Sequence, residues 1–96
     1  MEVEISSFIS SQVEEYLEKK LGQLLKGASV AVSYTQDGVE VDVEVDASIL
    51  ADDSYLHKVV EEATRLGICI ADMVKEKGWP PSDEDVKKCW NSLKSF

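Results

Sequence analysis

Hydrophobic and polar residues alternate most regularly between Ala28 and Asp46, in the stretch ASVAVSYTQDGVEVDVEVD. In its second half, valine alternates with an acidic residue four times. A period of two is typical of a β-strand with one buried face. Asp37-Gly38 divides the stretch, and this dipeptide favours a tight hairpin turn because both residues tolerate positive φ. The pattern therefore predicts one antiparallel β-hairpin.

The hairpin has an apolar face and a polar face. With Asp37-Gly38 as the two turn residues, Tyr34 faces Val41, and a slip of one residue would turn one strand's valines to the opposite face. We expect the first face to be buried, and it consists of Val30, Val32, Tyr34, Val39, Val41, Val43 and Val45. We expect the second to face water, and it consists of Ser29, Ala31, Ser33, Thr35, Glu40, Asp42, Glu44 and Asp46.

The residues before the hairpin predict a helix from about Ile5 to Leu25, because apolar residues recur three or four apart. Its start is open to three interpretations. Ser11 with Glu14 fits a capping box, and Met1 to Ile5 also alternates like a strand, but we expect an early helical start because it extends the apolar stripe. Gly27 is a candidate C-cap.

Two further helices are predicted after the hairpin. The second begins at Asp52, Asp53 or Ser54, contains Gly67 and ends at Gly78. Trp79-Pro80-Pro81 then prevents helix continuation, and Ser82 caps a third helix that has acidic residues in its first turn.

The predicted order is α-β-β-α-α, an α+β fold in which helices cover one face of a two-stranded hairpin. We expect one domain over residues 1–96, with a helix-hairpin-helix core over 1–78 and a C-terminal helical extension over 79–96. A lone hairpin is marginally stable and has two open edges. We therefore expect a homodimer in which first strands pair antiparallel, giving a four-stranded sheet in the order 2-1-1′-2′. Its expected interface residues are Ser29, Ala31, Val32, Ser33 and Thr35, with Trp79 either an interface residue or a cap on the core.

The charge balance narrows the choice of partner. The chain has 10 basic and 19 acidic residues, a net charge of −9, and residues 36–53 contain seven acids and no Lys or Arg. Phosphate binding depends on Lys and Arg, so we expect neither nucleic acid nor an anionic membrane as partner. We expect a cytoplasmic protein, because MEVEISS lacks signal-peptide features and no apolar run is long enough to span a membrane.

Candidate chemistry is sparse. A row of carboxylates on a flat strand spreads its oxygens, so we expect no metal there and assign no catalytic residue or cofactor. His57 is expected to be an exposed surface histidine, Trp90 a core residue, and Cys69 and Cys89 free thiols, since a disulfide is plausible only in a hyperthermophilic cytosol. The candidate binding residues are those of the acidic row, Glu40, Asp42, Glu44 and Asp46.

Several stretches together resemble a small archaeal family of uncharacterised α+β proteins whose genes often lie beside that of the prefoldin beta subunit. These are EISSF with the helix after it, the DG hairpin with VEVDVEVDA, and the acid-capped helix that follows. The resemblance covers roughly residues 1–76, and the chain departs from the pattern at WPPSDEDVKKCW. It implies a cytosolic archaeal protein in a context of protein folding or translation, and it supplies no established activity to carry over.

Two classes of function follow from these observations. The first is a non-enzymatic interaction or assembly module that presents the acidic row to a basic protein partner. The rival is a small enzyme or ligand carrier with a pocket between helices and sheet, for which Tyr34, His57 and Cys69 are the candidate residues.

Overall fold

Three helices and one antiparallel hairpin make up the described chain. The structure is a computed structural model that describes residues 2–35 and 38–93, with side chains for residues 4–33 and 38–93. The predicted α+β class and the two-stranded hairpin are confirmed. In chain order the elements are α1 (Glu2–Leu21), a 3-10 turn (Gly22–Leu24), β1 (Leu25–Thr35), β2 (Gly38–Ala47), α2 (Asp53–Lys77) and α3 (Asp83–Ser92).

The hairpin has the predicted faces but a different register. Tyr34 pairs with Val39 rather than Val41, and Thr35 pairs with Gly38, so Gln36 and Asp37 connect the strands and lie outside the described residues. The predicted register is wrong by two residues. Both registers place Val30, Val32 and Tyr34 opposite valines, so the side-chain pattern does not distinguish them. An even shift also leaves every side chain on its predicted face.

Burial along the strands confirms those faces. Val41 is buried and the other described valines of the hairpin are half-buried, whereas the acidic row is exposed along β2. On β1 the small residues of the outer face are exposed, and the Tyr34 and Thr35 side chains lie outside the described residues. The exposed β1 residues of the outer face are Ser29, Ala31 and Ser33.

The first helix starts early, as predicted, but it ends at Leu21 rather than Leu25. Gly22 ends it with a positive φ of 52°, a conformation that favours glycine. Leu24 and Leu25 still pack against the core, but they do so from the 3-10 turn and from β1. Gly27 lies within β1, so its prediction as a C-cap is wrong.

The other helix boundaries follow the predicted caps. The Asp52 side chain accepts a hydrogen bond from the Tyr55 N–H at the start of α2, which ends at Gly78. At the start of α3, the Ser82 hydroxyl accepts from the Asp85 N–H. These bonds satisfy donors that a helix N-terminus leaves without an intrahelical partner.

Both long helices pack on the inner face of the hairpin, α1 against β1 and α2 against β2. Gly67 of α2 lies where α1, α2 and β2 meet, and it has the least free space around it of the glycines in the described chain. A Cβ atom added to buried Gly67 would lie 2.9 Å from Val41 Cγ1 and 3.2 Å from Val13 Cγ2. A glycine within a helix can let another backbone come close, but at Gly67 the nearest atoms belong to the side chains of Val41 and Val13.

We expect Gly67→Ala to destabilise the fold by about 1 kcal/mol, because overpacking costs roughly 1–3 kcal/mol and outweighs the helix propensity of about 1 kcal/mol that alanine gains. Urea unfolding measures the change. In a Val41→Ala background the same substitution should cost less, since the closest methyl group is gone. Additive effects of the two substitutions would contradict this assignment.

Candidate functional site

The outer face of the sheet concentrates negative charge. The four carboxylates of the acidic row extend from β2, and across the ladder each lies opposite a small uncharged residue of β1. The ion pairs found in the described chain, Lys19 with Glu15 and Lys77 with Asp85, lie on the helices. The residues directly opposite the acidic row on β1 therefore carry no charge that would neutralise it.

This arrangement suits an extended basic surface better than a single ion. Alternate residues of a strand are about 6.7 Å apart, whereas Ca²⁺ or Mg²⁺ requires several oxygens that converge at about 2.0–2.6 Å. Among residues 2–35 and 38–93, no group of three or more His, Cys, Asp or Glu side chains is placed to hold a metal ion.

The connection between β2 and α2 carries a feature that the sequence analysis missed. Ile49 and Leu50 are 98% and 83% exposed, and we call this pair the apolar tip. The signal was present in the sequence: two large aliphatic residues stand in a short connection, outside both the strand alternation and the helical stripe.

A groove of about 770 Å³ separates α1 from α3. Its walls include Phe8, Tyr16, Lys19, Lys87 and Trp90. The Trp90 indole N–H donates to Gln12 Oε1 at 2.8 Å, and its ring lies 5.5 Å from that of Tyr16. The Lys19 ammonium stands 4.9 Å from the Trp90 ring centroid. Through these contacts the Trp90 indole joins α3 to α1, which agrees with the prediction that Trp90 is a core residue.

Tyr16 is the buried aromatic at the base of this groove. Its hydroxyl makes no hydrogen bond of standard geometry within the described chain. Burial and the nearby Glu62 carboxylate raise the pKa of the hydroxyl well above its usual value, so it stays neutral. A neutral phenol of this kind cannot serve as a base near neutral pH.

The wall formed by α3 is covalently tied to α2. Cys69 and Cys89 form a disulfide with a Cα–Cα distance of 5.7 Å. The prediction of free thiols is therefore wrong, and the reason is the path of α3. After the turn at Trp79–Pro81 the helix returns along α2, a placement that helical periodicity does not specify.

A buried carboxylate provides a second link between these helices. Asp85 accepts a hydrogen bond from the Lys77 ammonium at 3.0 Å. This bond and one from the Ser82 hydroxyl hold the pKa of Asp85 below its usual value. The acid that was expected only to complete a helix cap therefore also joins α3 to the end of α2.

The residues suspected for an enzyme pocket are not brought together. His57 is exposed on α2, as predicted, and Cys69 is bound in the disulfide. The Tyr34 side chain lies outside the described residues. Neither His57 nor Cys69 lines the groove, which lies between two helices rather than between helices and sheet.

For Trp79, the sequence left two alternatives open, a cap on the core or an interface residue. Its ring packs edge-on against Phe8 with centroids 5.7 Å apart, and it covers the end of the core. It remains partly exposed, so a role at an interface stays a prediction.

A scan against models of known protein families finds no match for this chain, and neither a search of curated proteins nor one of solved structures finds a match. No helix within the described residues is both long and apolar enough to cross a membrane.

We expect Asp85→Asn to lower the urea midpoint at about pH 7, because it removes the negative charge that pairs with the Lys77 ammonium. The folded pKa of Asp85 is lowered, so its contribution is complete above its unfolded pKa of about 3.9 and is lost as pH falls through the folded value. The difference between variant and wild type should thus shrink as pH falls below about 3.9.

Asp83→Asn is the matched control, since it removes an exposed acid from the same helical turn. It should change the midpoint less than Asp85→Asn does. An Asp85→Asn protein as stable as the wild type at neutral pH would contradict the assigned role of the ion pair.

Proposed function

We propose that this protein is a non-enzymatic interaction module that binds a basic protein partner through the acidic row. The observation that carries the proposal is the exposure of four carboxylates along one face of β2, opposite uncharged residues of β1. Residues 27–57 hold seven acids and no Lys or Arg, whereas the rest of the chain holds 12 acids and 10 basic residues. Most of the net charge of −9 thus belongs to the hairpin and the connection after it.

Such a surface favours partner selection and rapid encounter. Complementary charge raises association rates and disfavours partners of like charge, and both effects weaken with salt. The β1 residues beside the acidic row have small side chains, and this leaves the carboxylates accessible from the β1 side. Basic proteins that take part in folding or translation fit this chemistry, and the resemblance to the archaeal family supports the same context.

A cytoplasmic location belongs to the same proposal. The disulfide does not conflict with it if the source is hyperthermophilic, because intracellular proteins of such organisms are rich in disulfides.

We also propose that the protein acts as a homodimer joined through β1. The described sheet has only two strands, so β1 pairs with β2 on one side and has no strand on the other. The outer face of β1 is exposed, small and uncharged at Ser29, Ala31 and Ser33, so nothing there opposes pairing with a second copy. Pairing centred on Val32 would place both acidic rows on one continuous four-stranded face.

We expect neutralisation of the acidic row to weaken capture of basic proteins. The variant carries Glu40→Gln, Asp42→Asn, Glu44→Gln and Asp46→Asn. Immobilised protein is incubated with cell lysate at low and high salt, and bound proteins are quantified by mass spectrometry. Wild type should retain basic proteins in a salt-sensitive manner, and the variant should retain roughly tenfold less, since four exposed ion pairs of about 0.2–1 kcal/mol are lost.

The control variant removes the same number of charges from exposed helical positions. It carries Glu14→Gln, Glu18→Gln, Asp72→Asn and Glu76→Gln, and its net charge equals that of the first variant. Equal loss of capture in both variants would show that net charge alone is responsible, and it would sink the assignment to the sheet.

We expect the double substitution Ala31→Lys with Ser33→Lys to weaken the dimer. Within one chain these lysines lie opposite Asp42 and Glu40, which favours the hairpin. Across a two-fold axis near Val32 they face each other's copies, so the dimer Kd should rise roughly 2- to 30-fold. Light scattering over a concentration series measures this.

Ser7→Lys with Ser54→Lys adds the same charge at exposed helical sites and should leave the Kd unchanged. A wild-type protein that is monomeric at micromolar concentration would end the dimer proposal.

A further inference from the structure

The apolar tip is the most exposed group of large aliphatic side chains in the described chain. Ile49 is 98% exposed and Leu50 is 83% exposed, whereas Ile68, another large aliphatic residue at the surface, is 40% exposed. A single exposed leucine is ordinary, but two adjacent aliphatic residues fully in water keep a hydrophobic area available for another surface.

The backbone that carries the tip is held at both ends. The Ser48 N–H donates to Leu24 O at 2.7 Å, which ties the connection to the 3-10 turn. The Ala51 N–H donates to Ser48 O at 2.9 Å, and the Leu50 N–H donates to the Ser48 hydroxyl at 3.2 Å. Asp52 then caps α2. The tip is therefore presented on a defined turn, so binding would require little further ordering.

The charges around the apolar tip indicate what kind of surface it contacts. Asp46, the last acid of the row, precedes Ile49 by three residues, and Asp52 and Asp53 follow Leu50 directly. Lys26 lies at the bulge opposite the end of β2 and offsets part of this charge. An anionic membrane would be repelled by these carboxylates, whereas a hydrophobic surface rimmed by Lys or Arg would match both the tip and its surroundings.

We propose that the apolar tip docks on a hydrophobic surface rimmed by basic residues, on the same protein partner that binds the acidic row. This inference rests on the proposed function and names the partner chemistry more closely. The tip contributes desolvated apolar contact, which slows dissociation, and the acidic row contributes orientation and association rate.

The test uses two labelled peptides of equal charge. One is an 18-residue amphipathic helix with leucines on one face and lysines flanking it, and the other has serine in place of each leucine. Fluorescence anisotropy measures the affinity of wild type, of Ile49→Ser with Leu50→Ser, and of the acidic-row variant. Ile68→Ser is the control for loss of a surface aliphatic residue.

Wild type should bind the leucine peptide at least tenfold more tightly than the serine peptide. The tip variant should lose that preference and should still bind the serine peptide as wild type does, while Ile68→Ser should stay within twofold of wild type. Because the tip is exposed, its variant should also melt at the wild-type temperature.

Unchanged affinity of the tip variant for the leucine peptide would overturn the inference and leave the proposed function standing. Unchanged binding of both peptides by the acidic-row variant would instead count against the proposed function. Wild-type binding to phosphatidylcholine vesicles that the tip variant loses would assign the tip to a lipid surface, and it would also overturn the inference.

Discussion

The packing of α2 on the hairpin depends on the missing side chain at Gly67. A Cβ atom there would overlap with the methyl groups of Val41, a stiff side chain that cannot move aside cheaply. Val41 is also the valine of the described hairpin that is most completely buried. This contact adds to the alternation of valines along β2 in setting which face of the sheet the helices cover, and the acidic row lies on the opposite face. The surface that we assign to partner binding is in this sense a result of core packing.

A second set of constraints places α3. The disulfide from Cys69 to Cys89 and the ion pair between Lys77 and Asp85 hold this helix against α2. On the other side, Trp90 reaches α1 through its hydrogen bond to Gln12 and its contact with Tyr16. Cys89 and Leu93 are buried in the same cluster as the residues of α1 and α2. The C-terminal helix thus completes the core. The groove beside it is the space that remains between α1 and α3, which are joined at several points.

Local patterns in the sequence predicted the elements, the N-caps of α2 and α3 and the faces of the hairpin, because each depends on neighbouring residues. Features that depend on residues distant in the sequence could not be predicted from such local patterns. The register is ambiguous by two residues since valines recur with that period, and the end of α1 depends on Gly22 while apolar residues continue beyond it. The disulfide requires the path of α3 after the proline turn. Of the candidate site, the acidic row was predictable from alternation, whereas the exposure of Ile49 and Leu50 required the position of the connection relative to the core.

The uneven distribution of charge along the chain has a consequence for how this molecule moves before any contact forms. All ten basic residues lie outside residues 27–57, and several of them stand on α1 and α3, in the helical layer behind the sheet. The protein therefore has an electric dipole moment whose negative end is the outer sheet face. In the field of a cationic body it would experience a torque as well as an attraction. The molecule would then tend to rotate until the outer sheet face points toward the partner. This shortens the search for the correct orientation, which otherwise limits the association rate.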